Sequence, residues 1–469
     1  MREFFSSETG SRILVWSKLV RRFSEEYSLV QLGLELSGAE IVELELLDFH
    51  VDDIQWGEQS SLVGRQLIVS LAEIQEQIKD LTPNIKLTAK LARPGESKRI
   101  IHVLDTLMPI AKVDDERRTF PGIDHPARLV GTGRTERLRN VLVTIAGRFP
   151  HAELLTPIEQ PREGLIDMSG LGARYCHGSD SFHVVLTLEG EAALSNLAFD
   201  QALRNIGVRV ARYLAGVDKS GAAPETKRIG LDRVQSKLPK IVLIYQVQSQ
   251  IPLVRTFYYG EEISKTLPSF VHPNEFMDGA VVSGTYKSER KIPTSLHCAN
   301  PFIEEMLKRH GREIDFLGVI LSRGYNDSFE QKKKMGLWSA RLARTLGADG
   351  AVAIMEGTGN TTVDFMQTVK ACEEEGIKTA AVLHEDNGAR GYERPLVDHP
   401  READAMISRG NRSEKLSLTP LDEVIGGAEI DLHLKAKHDP HKPLFFDPTI
   451  FFGAHCQMGA SGLRAAYES

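Results

Sequence analysis

Three stretches of this 469-residue chain gather residue types that can do chemistry. In Glu356-Gly357-Thr358-Gly359-Asn360 an acid precedes two glycines; the glycines let backbone approach a ligand, and a following helix would offer unpaired N–H groups to an anion. Glu356 there suits a general base or the holder of an ammonium group. The purely structural alternative is a tight turn with Asn360 as N-cap. His384-Glu385-Asp386 is the second stretch, equally suited to proton transfer and to a solvated turn. The third, Glu275–Pro301, is a turn-rich polar span holding Asp278, Ser283, Ser288, His297 and Cys298. Adjacent His297 and Cys298 suggest a thiolate pair, but neighbours on an extended strand point to opposite faces, which argues against the two acting alone. His433, His438, His441 and His455 with Cys456 raise the question of a metal. Asp439 and Pro440 interrupt any helix that would align His438 with His441, so a polar loop and no metal are expected.

These stretches need elements to hold them. Residues 314–384 alternate between apolar runs and helical patterns: strand Phe316–Leu321, helix Phe329–Leu346, strand Ala351–Met355, helix Thr361–Glu375, strand Lys378–Leu383. Such alternation means a parallel sheet covered on both faces, with ligands outside its strand C-termini. That edge would carry Ser322–Asn326, Glu356–Asn360 and His384–Gly388. Earlier, β-branched runs at Glu40–Leu47, Leu67–Val69, Lys86–Leu91, Val141–Ile145 and His183–Leu188 predict strands, and Glu191–Leu214 one helix. Arg228–Pro239 reads as a linker leading into a buried strand at Ile241–Tyr245. The expected fold class is α/β: a β-rich α+β first half, then a parallel-sheet region with flavodoxin-like alternation. The expected divisions are a helical extension over 1–40 with an amphipathic Ile13–Phe23, domains over 41–238 and 239–430, and a packed tail over 431–469.

Composition narrows the function classes. The chain is 41% hydrophobic and 26% charged, with 57 basic against 64 acidic residues and a formal charge of −7. No basic face emerges, which argues against nucleic acid, and Lys332-Lys333-Lys334 reads as a solvated helix face. Cys176, Cys298, Cys372 and Cys456 are widely spaced, so neither a disulfide framework nor a zinc ribbon is indicated. The polar N-terminus lacks a signal-like core, and no apolar run approaches the roughly 18 residues of a membrane span. A cytoplasmic protein without membrane association is expected.

From about Glu43 to Glu429 the chain resembles the component B proprotein family of the glycine, sarcosine and betaine reductases, which has proline-reductase relatives. The resemblance rests on Asp53-Ile54-Gln55-Trp56-Gly57, Ala92-Arg93-Pro94-Gly95-Glu96-Ser97, Gly131-Thr132-Gly133-Arg134-Thr135, Ile166-Asp167-Met168-Ser169-Gly170 and Gln248-Ser249-Gln250. Met277-Asp278-Gly279-Ala280, Leu346-Gly347-Ala348-Asp349-Gly350, Glu356-Gly357 and Gly359-Asn360 extend it. It implies a chain that cleaves itself before an internal cysteine to make a pyruvoyl group, whose ketone holds an amino substrate while a partner's thiol or selenol displaces the amine. It also implies a second component-B-type subunit, an electron-donating thiol or selenol protein, a small-molecule substrate and an oligomer.

The chain departs from that pattern where the precursor cysteine should fall, about a dozen residues before Asn300-Pro301. Glu289 holds the place, with Ser288 beside it, and Cys298 is too close to Pro301. Three readings follow. Ser288 yields the pyruvoyl group; or the chain stays uncleaved, with no cofactor, and works through Cys298, Asp278, Glu356 or a partner's group on a small polar C–N-containing or carboxylate substrate; or the subunit is non-catalytic. A non-redox hydrolase or lyase using the same pocket is the rival to reduction. The candidate catalytic residues are Cys298, Glu356, Asp278, Ser288 and His297, and the candidate substrate-binding residues Arg93, Glu96, Arg134, Gln248, Ser283, Gly357, Gly359, Asn360 and His384.

Overall fold

β-branched runs become strands here because their alternate residues have apolar partners on both sides of a sheet. The computed structural model describes residues 43–113, 120, 130–154, 163–232, 234, 237–250, 253–284, 290–324, 326–385, 396–411, 415–431 and 437–458, without the side chains of 384, 385 and 408–411. The expected Ile13–Phe23 helix, Ser288 and Asp386 lie outside these residues. Residues 42–469 form one compact unit.

In the first half, β1 is Leu44–His50, β2 Ile85–Ala92, β3 Lys98–Leu107, β4 Ile110–Lys112, β5 Gly133–Arg139, β6 Val141–Arg148, β7 Gly164–Asp167, β8 Phe182–Gly190 and β9 Glu225–Ile229. They build sheets of order β9-β1-β5-β4 and β7-β3-β6-β8-β2. Glu423–Ile425 returns to pair in parallel with Lys98–Ile100 of β3. Helix α1, Asn196–Ala215, starts at Ser195, whose side chain accepts from the Ala198 N–H. Its Phe199, Leu203, Ile206 and Val210 share a core with Leu107, Val143 and Ile145. Gly207 lets the helix come close: a Cβ there would stand 2.9 Å from Leu107.

In the second half, β10 is Lys240–Gln248, β11 Thr256–Tyr258, β12 Ser269–Val271, α2 Pro273–Met277, β13 Val281–Ser283, α3 Thr294–Cys298, β14 Asp315–Gly324, α4 Phe329–Thr345, β15 Gly350–Met355, α5 Asn360–Glu374, β16 Lys378–Glu385 and β17 Ala405–Asn411. The sheet runs β12-β14-β10-β15-β16-β17. Its last five members are parallel and β12 is antiparallel. Along β10, Val242 and Ile244 pack with Ala340, Phe365 and Val369 of α4 and α5. The alternate residues Leu243, Tyr245 and Val247 pack with Phe276, Ile292 and Ile303. The span that links β10 to β14 therefore covers one face of the sheet and the helices cover the other.

Four local expectations are corrected. Glu225–Ile229 reaches into the supposed linker as β9, because its backbone completes the edge of β1. Lys332 is buried rather than solvated, with its ammonium 2.6 Å from Asp364. His297 and Cys298 lie in the helix α3 that follows Pro293, not on an extended strand. Asn360 is the first residue of α5 and Gly359 is its N-cap, with φ of 69°, a conformation that glycine adopts without strain.

A buried ion pair pins the register of β7 on β3. Arg99 and Asp167 are cross-strand partners, Nε to Oδ1 at 2.6 Å and Nη2 to Oδ2 at 2.8 Å. Burial still holds the Asp167 carboxyl above its ordinary range, against the lowering by Arg99. Arg99→Met should therefore lower stability by about 3–5 kcal/mol, because it strands a buried carboxylate. Arg99→Met with Asp167→Leu should recover most of that loss in urea midpoint, and a double variant no more stable than the single one would refute the account.

Candidate functional site

With the strand order 2-1-3-4-5 of its parallel members, this sheet changes winding direction at the C-terminal ends of β10 and β15. Glu356 follows β15, and its carboxylate lies fully buried across that point. Oε2 accepts the Gln248 N–H at 2.7 Å and Oε1 the Ile292 N–H at 2.5 Å. The acid thus braces the crevice, joining the end of β10 to the incoming 290s segment. Gly357, with φ of 83°, turns the chain towards α5, and a Cβ there would stand 2.6 Å from Gln248 Oε1. The Gly357 carbonyl accepts from Gln457 Nε2 at 3.4 Å.

Among the described residues of the span 273–300, many polar groups are held by named partners. His272 and Glu275 form a capping box that starts α2 and delivers Asp278 at its end. Asp278 is fully buried: Oδ2 accepts the Gly131 N–H at 2.7 Å and lies 2.7 Å from Lys112 Nζ, and Oδ1 accepts Thr135 Oγ1–H at 2.5 Å. Desolvation raises this carboxyl, with Lys112 the chief opposing influence. Lys291 is also fully buried, and its three N–H groups match three acceptors: Leu104 O at 2.7 Å, Gly284 O at 2.7 Å and Asp105 Oδ1 at 3.0 Å. Asp105 takes Thr294 as well, through N–H at 3.1 Å and Oγ1–H at 2.6 Å. Ser295 meets Thr106 Oγ1 at 2.9 Å, and the Cys298 carbonyl meets Arg137 Nη1 at 3.4 Å. Arg137 grips Asp48 through Nε at 2.6 Å and Nη2 at 2.8 Å.

At the centre runs a chain of neutral groups. Ser283 Oγ donates to the Ile292 carbonyl, so it accepts from His297 Nε2–H at 3.0 Å, and His297 Nδ1 accepts the Tyr245 hydroxyl at 2.9 Å. Burial, helped by the nearby Lys291 charge, pushes the His297 pKa down to about 3. Burial pushes the Cys298 thiol up to about 12, with Arg137 opposing in part. Near neutral pH that thiol stays protonated and packs as an apolar group rather than serving as a nucleophile.

The structure brings Glu356, Gln248, Gly357, Asp278, Ser283, His297 and Cys298 to one buried junction. It takes Arg93 and Glu96 elsewhere. Arg93 Nε pairs with Asp53 at 3.0 Å, and Glu96 accepts the Arg93 N–H at 2.8 Å and pairs with Lys98 at 2.9 Å. Arg134 is exposed and alternates with inward-facing Thr135. His384 lies in β16, but its side chain is not among those described. A Cβ on Gly359 would meet nothing within 4 Å, and Asn360 opens α5. Asp105, Lys291, Thr294, Tyr245, Lys112 and Arg137 were not among the candidates. Asp105 had a signal, a lone acid in the apolar run Ile100–Leu107 that must find a partner once buried.

Comparison with known proteins places the chain. The family model for glycine/sarcosine/betaine reductase component B subunits matches residues 42–440. The chain belongs to this family. It is 33% identical over 392 residues to the glycine reductase complex component B subunits alpha and beta of Peptoclostridium acidaminophilum, covering 82% of this chain and 89% of the relative. It is 34% identical over 399 residues to the sarcosine reductase complex component B subunit alpha of the same organism, covering 82% and 89%. The betaine reductase complex component B subunit alpha, again from that organism, is 31% identical over 401 residues, covering 83% and 88%. No solved structure gives a significant match. The junction between the sheets is thus a feature of a component B family chain. Among the described residues no helix is long and apolar enough to cross a membrane, and no three His, Cys, Asp or Glu residues cluster to hold a metal ion.

Two outcomes follow from the burial. The unfolded chain protonates His297 below about pH 6.5, whereas the native ring does not until about pH 3, so stability falls with pH through that window. His297→Gln should remove about 2 kcal/mol of the stability lost between pH 7 and pH 5, read as a flatter dependence of the urea midpoint on pH. In the native protein Cys298 should resist iodoacetamide at pH 8 and react at once in urea; rapid native alkylation mapped to Cys298 would show that the thiol is accessible.

Proposed function

We propose that this chain is the substrate-binding subunit of a reductase complex like those of its relatives, acting on a small substrate that carries a carboxylate and a C–N bond, and that it works uncleaved and without a pyruvoyl group. Family membership over residues 42–440 supports the reductase reading. The observation that carries the uncleaved reading is the state of the cysteines. All four, Cys176, Cys298, Cys372 and Cys456, are buried thiols outside any disulfide, and none falls about a dozen residues before Asn300-Pro301, where the resemblance implies a precursor. Cys298 sits inside α3 with its carbonyl on Arg137, so cleavage before it would break a helix at its clamps. Glu289 has no side-chain group that β-elimination could remove. A cysteine-derived pyruvoyl group therefore does not fit these residues.

Without a carbonyl the chain does not hold an amine as a Schiff base. That favours a substrate whose nitrogen is N-alkylated and permanently charged. Its C–N bond breaks as a partner's thiolate or selenolate bonds to the α-carbon, the amine leaving with the bonding pair; the partner's thiols supply the two electrons of the later reduction. The buried cysteines offer no exposed thiol for that role, so a second component-B-type subunit and a thiol or selenol protein complete the reaction in this reading.

Intact mass with and without borohydride tests the proposal. One chain of about 52.1 kDa, unchanged by borohydride, is expected. Two fragments joining at Lys287 and Ser288, the second gaining mass on reduction, would restore a serine-derived pyruvoyl group and overturn the uncleaved reading.

A further inference from the structure

The six-stranded sheet ends on β17, and no described strand pairs with the outer side of that strand. Such an edge presents unpaired N–H and C=O groups, which chains ordinarily blunt with charge, proline or a bulge. Over Ala405–Ser408, β17 pairs regularly with β16, and its register shifts only beyond Ser408. The middle of this regular stretch is apolar. Met406 is 37% exposed and Ile407 55%, and Ala405 before them is exposed too. Their cross-strand partners assign the two large side chains to opposite faces. Met406 opposes Ala381, which shares a core with Ala340 of α4 and Phe365 of α5. Ile407 opposes Val382, which packs with Leu243 and Tyr245 on the other face. Apolar surface thus flanks the edge backbone on both sides of the sheet.

The sequence along this edge is complementary to itself. Two copies laid antiparallel about a two-fold axis between residues 406 and 407 set Met406 of each copy against Ile407 of the other, one such pair on each face. The same register sets Ala405 against Ser408, and position 404 against 409, an aspartate against an arginine. Moving the register by two residues sets Asp404 against Ile407, or Met406 against Arg409. Of the antiparallel registers over 404–409, one alone matches Met406 with Ile407 and opposite charges with each other. So short a pairing buries far less than the roughly 800 Å² per partner of a stable interface, and the association it supports is weak and concentration-dependent.

We infer that β17 is a docking edge for a second copy of this chain, joining two six-stranded sheets into one. Sedimentation velocity of the full chain, from low to high micromolar concentration, tests it. The wild type should pass from monomer to dimer as concentration rises. Asp404→Arg, which sets like charges opposite each other twice, should weaken the dimer at least tenfold. Asp404→Arg with Arg409→Asp restores opposite charges and should return the dimer to within threefold of the wild type. Ile407→Lys should leave no measurable dimer, with a urea midpoint that matches the wild type showing that the chain still folds. A wild type that stays monomeric throughout, or a dimer that Ile407→Lys leaves intact, overturns the docking edge. So does a dimer weakened by Asp404→Arg that the double exchange fails to rescue, and if Ile407→Lys does not fold, that exchange decides alone.

Discussion

The Lys291 ammonium, fully buried with Asp105, is the constraint on which the junction depends. A charged amine removed from water is tolerated when each of its N–H groups finds an acceptor. Here two of the acceptors are carbonyls on different parts of the chain, Leu104 in β3 and Gly284 after β13, and the third is the Asp105 carboxylate that also fixes the start of α3. Remove the cation and the same carboxylate and carbonyls are left facing one another. The segment after Arg290 is thereby held to the first-half sheet at one end of the junction, as the Cys298 carbonyl is held by Arg137 and Asp48 at the other. Lys112 with Asp278 repeats the device at the end of α2.

Those pairs explain why Glu356 is a brace. In an open sheet of this strand order, an acid at the winding reversal would face a crevice. Here the connection from β10 to β14 is not a simple helical crossover but a span of more than sixty residues that folds back over the strand ends. Its backbone needs acceptors where it crosses, and Glu356 supplies one to Ile292 while tying down Gln248. The residue type and its position at a strand end were legible in the sequence. Its role was not, because that depends on a contact 64 residues away in the chain.

The same divide runs through the rest of the fold. Strands and helices from Phe316 to Leu383 were readable because continuous apolar runs and 3.6-residue patterns are local properties. β9 was missed because its charged residues satisfy only the edge of β1, a pairing that spans about 180 residues and leaves no apolar pattern. The five-residue helix α3 was missed because so short an element has no periodicity to detect. Buried charges were partly readable: Asp105 stands out within Ile100–Leu107, whereas Lys332 looked like one of three solvated lysines until helix packing set it against Asp364.

Protonation carries the argument one step further. At neutral pH the Cys298 thiol is protonated, the His297 ring is uncharged, and burial holds Tyr245 far above its ordinary range. Each side chain of the Tyr245–His297–Ser283 chain donates one hydrogen bond and accepts one, apart from the tyrosine hydroxyl that begins it, so a proton added anywhere has no acceptor to pass to without breaking a buried bond. A junction locked in one protonation state is poorly suited to general acid–base chemistry, and well suited to holding two sheets in fixed relation. Rigidity of that kind is what the ion pairs of Lys291 with Asp105, Lys112 with Asp278 and Arg137 with Asp48 provide.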